Sequence, residues 1–149
     1  MTSDRYRILS IAQISSKALF IDMFKFGRIV SIDYPHETLA EFGKDGVRCI
    51  IPIRYKKPDG TFINLIICGC EKRTLEVYEL VESQQSLTCR LVDHHDLNCQ
   101  PRALAYNPKK KLLSLTSFGI LFEVYALTYE GDGPKLTLVF REGLHLALQ

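Results

Sequence analysis

The stretch LEVYELV at 75 to 81 returns 47 positions later as FEVYALT at 122 to 128, with Val77 matching Val124, Tyr78 matching Tyr125 and Leu80 matching Leu127. The likeness extends on both sides. NLII at 64 to 67 matches KLLS at 111 to 114 at the same offset, and SLTCRLV at 86 to 92 matches KLTLVF from 135 with a further shift of two. Each unit therefore holds four short apolar runs, and a repeat of 40 to 50 residues with four strands is the signature of β-propeller blades, small sheets that stack face to face. A weaker third copy lies in KALFIDMFKFGRIVSIDY at 17 to 34.

The runs between these copies carry strand chemistry. VRCIIPIRY at 47 to 55 is followed by a turn at Pro58, Asp59 and Gly60 and then by TFINLIICGC at 61 to 70, which predicts a hairpin. After a polar loop at DHHDLNCQP the pattern resumes with RALAYNP, KLLSLTS, LFEVYAL and KLTLVF, separated by Asn107-Pro108, Phe118-Gly119 and Gly131-Asp132-Gly133-Pro134. No long window shows a 3.6-residue apolar period; HETLAEFGKDG at 36 to 46 is expected to hold at most one helical turn. The expected fold class is all-β: antiparallel four-stranded blades of a partial β-propeller. The chain is expected to form a single β domain, 1-149, of about three blades at roughly 7-46, 47-100 and 101-149. Since closed propellers generally need four to eight blades, the expectation is a piece of a larger propeller, or one completed by a partner. The competing expectation is a small up-and-down β-barrel carrying an apolar ligand.

With 19 Lys and Arg against 17 Asp and Glu, the net charge of +2 is too small to predict nucleic-acid or membrane binding by field alone. No apolar run reaches about 18 residues, and the start MTSDRYRILSIAQISS lacks the pattern of a secretion signal, so no membrane association is expected. Five cysteines at 49, 68, 70, 89 and 99 read as reduced thiols rather than a disulfide framework.

Four stretches carry a family resemblance: GRIVSIDYP (27 to 35), FGKDGVR with Ile51 and Pro52 (42 to 52), KPDGTF (57 to 62) and CEKRTLEVYEL (70 to 80). In this order they resemble the N-terminal propeller of the large scaffold proteins that include the propeller subunit of splicing factor 3b, the large subunit of the cleavage and polyadenylation specificity factor and the large subunit of the damaged-DNA-binding protein. The splicing subunit is the best match. The loop after Tyr34 is shorter than in that family, and Lys57 stands where an acidic residue usually precedes the turn. The resemblance implies a non-catalytic scaffold for protein-protein interaction in a nuclear pre-mRNA processing complex. It also implies protein partners in a multi-subunit assembly and indirect association with RNA.

The search for chemistry yields few candidates. Phe42-Gly43 and Asp45-Gly46 suit tight turns with positive φ between blades, with Arg48 bonding carbonyls of that link. Cys68 and Cys70, two apart on a strand, point to one face; His94, His95 and Cys99 would complete a tetrahedral zinc site if the fold gathered them. Gly69 and the apolar flanks instead favour packed thiols, so no metal and no cofactor are expected. Asp93-His94-His95-Asp96 holds a base and an orienting carboxylate but no nucleophile in an elbow motif, and reads as a solvated loop. Lys109, Lys110 and Lys111 read as a solvated hairpin tip. No catalytic residue is assigned and no enzyme is expected. An incomplete ring would leave apolar faces bare, so self-association is expected, with contact around Phe20, Phe24 and Phe140.

Overall fold

The computed structural model describes residues 8–13, 18–22, 26–31, 34, 37–83, 86–118, 121–131 and 133–143; for 8–13 and 18–22 the backbone is described. Twelve strands form three four-stranded antiparallel sheets, each built from consecutive strands. The first blade holds β1 (Ile8–Gln13), β2 (Ala18–Asp22), β3 (Gly27–Ser31) and β4 (Thr38–Phe42). The second holds β5 (Val47–Lys56), β6 (Phe62–Cys70), β7 (Thr74–Glu82) and β8 (Leu87–Asp96). The third holds β9 (Pro101–Asn107), β10 (Leu112–Ser117), β11 (Leu121–Glu130) and β12 (Gly133–Gly143). First strands pack on first strands, β1 on β5 and β5 on β9, and last strands on last strands, β4 on β8 and β8 on β12. Sheets stacked in this order are propeller blades, and among the described residues no sheet closes into a barrel.

The duplicated phrase occupies equivalent third strands, β7 and β11. Its register repeats too: Ile66 faces Tyr78 as Leu113 faces Tyr125, each 47 residues on. The expected further shift of two in the fourth strand does not occur. Leu91 pairs with Tyr78 as Leu138 pairs with Tyr125, and both fourth strands bulge at the next residue, leaving Val92 and Val139 unpaired. Matching by apolar likeness slipped the alignment, because register is set by pairing to the third strand rather than by the fourth strand's own pattern. The first strands bulge as well, at Arg48 and Arg102, where each blade begins.

The middle blade is buried on both faces, which explains the unbroken apolar run of β6. Ile66, Cys68 and Cys70 join Ile29, Phe42, Val47 and Leu80 in the core between the first two blades. Leu65 and Ile67 turn the other way and join Leu75, Val77, Leu113, Leu115, Tyr125 and Leu127 between the second and third. Gly69 is required by this second contact: a Cβ there would lie 2.6 Å from the Pro101 Cβ and 2.8 Å from the Cys49 Sγ.

The 57–61 hairpin closes as expected, with Gly60 at φ 91° and the Asp59 carboxylate accepting from the Thr61 N–H at 2.9 Å. Gly43 (φ 58°) and Gly46 (φ 100°) take the positive angles expected of the link between blades. Two expectations are corrected. The segment from Thr38 to Phe42 is strand β4 rather than a helical turn, because pairing with β3 satisfies its backbone. The DHHD run lies on β8, not in a loop, since the ladder to β7 continues through the pair Thr74 and Asp96.

Candidate functional site

The charged residues that the fold buries fall on the duplicated strands. Glu76 and Tyr78 share the face of β7 toward the first blade, with Val77 on the other face; Glu123 and Tyr125 occupy the same places on β11 and face the second. Burying a carboxylate is expensive unless hydrogen bonds and an opposite charge compensate it. In the third blade both are present: Tyr125 Oη donates to Glu123 Oε1 at 3.1 Å, and Arg141 Nε donates to Glu123 Oε2 at 2.7 Å. In the second, Tyr78 Oη donates to Glu76 Oε1 at 2.5 Å and Thr74 Oγ1 to Glu76 Oε2 at 3.3 Å, but the nearest cation among the described residues, Lys72 Nζ, stands 3.9 Å away and lies closer to Asp45, at 2.6 Å. Burial and the adjacent carboxylate push both phenols well up from their ordinary range. Tyr78 Oη also accepts from the Gly43 N–H at 3.1 Å, tying the blade link to β7.

Beside Glu76 lie the two thiols of β6. Cys68 Sγ and Cys70 Sγ are 3.8 Å apart, on one face as the two-residue spacing requires. These sulfurs and a Glu76 oxygen all lie within 4.8 Å of one another, each residue buried. The hydrogen bond to Cys70, together with burial, pushes the Cys68 thiol well up. The residues expected to join them do not. His95 turns to the other face, where Nε2 contacts Asp93 Oδ2 at 3.0 Å and the ring packs on Tyr125 at 5.6 Å. Asp93 Oδ2 in turn accepts from the Leu136 N–H at 2.8 Å, so the acid and base of the DHHD run serve the contact between blades. His94 stands opposite Glu76 in the ladder but outside the cluster, and Cys99 sits in the link after β8. Glu76 was not singled out in the sequence; its recurrence as Glu123 inside the repeat is the signal that would have found it.

The remaining candidates are at the surface. Lys109 and Lys110 are exposed on a turn held by the Asn107 carboxamide, and Lys111 folds back over the Tyr55 ring at 4.5 Å. Arg48 does not bond carbonyls of its link: its guanidinium reaches Glu71 at 3.6 Å and stacks over Phe118 at 5.0 Å, with Arg102 on the same ring at 5.6 Å.

The outward face of the third blade carries exposed aromatic rings. Leu113, Leu115, Tyr125 and Leu127 point to the second blade, so by alternation Phe122, Val124 and Ala126 point away. Phe122 is 38% exposed and Phe140 47%, packed edge to face at 6.2 Å, whereas Leu75, the counterpart of Phe122 in the second blade, is fully covered. Beside them opens a groove of about 590 Å³ lined by Arg102, Ala103, Thr116, Ser117, Leu121, Phe122 and Glu142. Ser117 Oγ is buried there without a hydrogen-bond partner. Phe140 thus lies on the exposed face expected of it; the Phe20 side chain and Phe24 lie outside the described residues. No family model and no curated protein matches this chain.

Proposed function

We propose that the chain is a non-catalytic propeller scaffold that docks protein partners through the outward face of its third blade. One observation carries the reading: Phe122, Val124 and Leu112 occupy positions whose second-blade counterparts, Leu75, Val77 and Leu65, are covered by the following blade. A face built to the same pattern but left bare is an interaction site. The occupant we propose is an apolar sheet face of another propeller blade or a blade-like partner, with Arg102 meeting its polar rim. The order of motifs from GRIVSIDYP to CEKRTLEVYEL supports placing this scaffold in a nuclear, splicing factor 3b-like assembly for pre-mRNA processing, with RNA reached through partners.

Capture from nuclear extract followed by mass spectrometry tests the reading. Native chain is expected to retain subunits of an RNA-processing complex, and the double change Phe122→Asp, Phe140→Asp to release them while the blades stay folded. Retention of the same subunits by the folded double variant would place docking elsewhere.

A further inference from the structure

The two buried Glu-x-Tyr pairs are equivalent by sequence and register, yet they are not equally neutralised. Glu123 has an arginine in direct contact, at 2.7 Å. Glu76, 6% exposed, has among the described residues only a lysine at 3.9 Å that is already engaged by Asp45 at 2.6 Å. Where the third blade places Leu115 and Ser117, 47 residues on from Cys68 and Cys70, the second places two thiols against the carboxylate. The second blade has thus exchanged a resident cation for donor atoms.

Those atoms have the spacing a metal ion asks for. Two sulfurs each about 2.3 Å from a tetrahedral zinc ion stand about 3.8 Å apart. Cys68 Sγ and Cys70 Sγ are 3.8 Å apart before any ion enters, and the Glu76 oxygen completes a triangle no wider than 4.8 Å. The strand supplies this without distortion, because residues two apart on β6 share a face and Glu76 is the direct ladder partner of Cys68. A hydrogen bond from Tyr78 holds the carboxylate in place, as outer partners do for metal ligands. The link between blades lies over the sulfurs, a Cβ on Gly43 being 3.6 Å from Cys68 Sγ and 3.9 Å from Cys70 Sγ.

We propose that Cys68, Cys70 and Glu76 form a binding site for a zinc-class divalent cation within the second blade, beneath the link from the first. Two thiolates and a carboxylate suit a borderline-soft divalent ion and disfavour magnesium or calcium, which take oxygen donors. Binding releases two thiol protons to solvent and forms two metal–sulfur bonds and one metal–oxygen bond, with no change of oxidation state. A solvent oxygen takes the fourth position. This reverses the expectation drawn from the sequence, which had the two thiols but not the third donor.

The full chain, purified in reducing buffer without chelator, is the material for the test. Elemental analysis is expected to give one zinc per chain, and replacement by cobalt a thiolate-to-cobalt charge-transfer band with the intense visible bands of a tetrahedral ion. Cys68→Ala with Cys70→Ala should lower affinity by more than about a hundredfold, beyond what outer-shell changes produce. Glu76→Gln, which keeps the shape, should weaken binding by less and shift the cobalt bands, while Cys99→Ala leaves both unchanged. If the double variant does not fold, Glu76→Gln and the removal of zinc from native chain decide instead, the latter by faster hydrogen exchange in the 42–46 link. Native folded chain that takes up neither zinc nor cobalt would overturn the site, as would cobalt bands unmoved by Glu76→Gln.

Discussion

The second and third blades repeat the same strand, register and bulge, and differ most where their buried carboxylates are neutralised. Glu123 is closed off by Arg141 and the Tyr125 hydroxyl. Glu76 is held by hydroxyls, with two thiols beside it and its nearest cation shared. The tyrosines differ correspondingly. Tyr125 bonds within its own strand, whereas Tyr78 also accepts from the Gly43 backbone and so spans two blades. A repeat therefore fixes where a charge is buried without fixing what answers it. The tyrosine hydroxyl repeats with the strand, whereas the cations and thiols come from neighbouring strands and links, which are free to vary.

The strongest way to break this comparison is to remove the two cations. Arg141→Ala should destabilise the chain by roughly 3 to 5 kcal/mol, because it leaves Glu123 buried and unpaired. Lys72→Ala, at a half-exposed lysine, should cost under about 1 kcal/mol. Urea denaturation of both variants measures the difference, and equal losses would mean that Glu76 depends on Lys72 after all.

The thiols make the second blade lose stability in alkali from about pH 9, before the third, where burial raises Tyr106 from 10.0 to about 12. Burial raises Cys49 from 9.0 to about 11 and Cys89 from 9.0 to about 12. Both protons are held more tightly folded than unfolded, so this stability is full below pH 9 and falls as pH rises through 11. For Cys49 the loss reaches about 3 kcal/mol once pH exceeds its folded value. Thermal melts from pH 8 to 11 should show a steeper decline for native chain than for Cys49→Ala, and parallel curves would refute it.

Tyr78→Phe removes two hydrogen bonds, one of them to a buried carboxylate, and should cost about 2 to 3 kcal/mol; Tyr125→Phe removes one and should cost about 1 to 2. Only the first should also speed hydrogen exchange at Gly43. A small effect on stability belongs to the bare face. Phe122→Ser, at a ring 38% exposed and packed on Phe140, is expected to cost about 1 kcal/mol. Its main effect should appear in sedimentation at micromolar concentration, where native chain self-associates and the variant does so less. Identical sedimentation would remove that face from the contact.

Much of the fold was legible along the chain. The runs between turn residues gave the strands, the 47-residue offset put LEVYELV and FEVYALT on equivalent third strands, and the glycines at 43 and 46 marked the link. The site was only half legible. Cys68 and Cys70 could be set on one face from their spacing alone, but Glu76 sat unnoticed inside the phrase that announced the repeat, since the phrase was read for its apolar and aromatic positions. His95 could not be excluded from the cluster either. Which face it takes depends on the bulge at Val92, and a bulge reverses every side chain beyond it without leaving a mark in the apolar pattern.

By itself the sequence determined the unit: four short strands, the turns between them, and a 47-residue offset between two copies. These follow from local chemistry, in which backbone angles, branched side chains and alternation act over a few residues. Tertiary structure alone decided what the units do to one another. Stacking made the middle blade apolar on both sides, put a carboxylate against two thiols, sent Asp93 to the Leu136 backbone and left Phe122 and Phe140 without a covering sheet. Burial, neutralisation and exposure are properties of pairs of surfaces, and a strand's sequence states its own face without stating what will lie across from it.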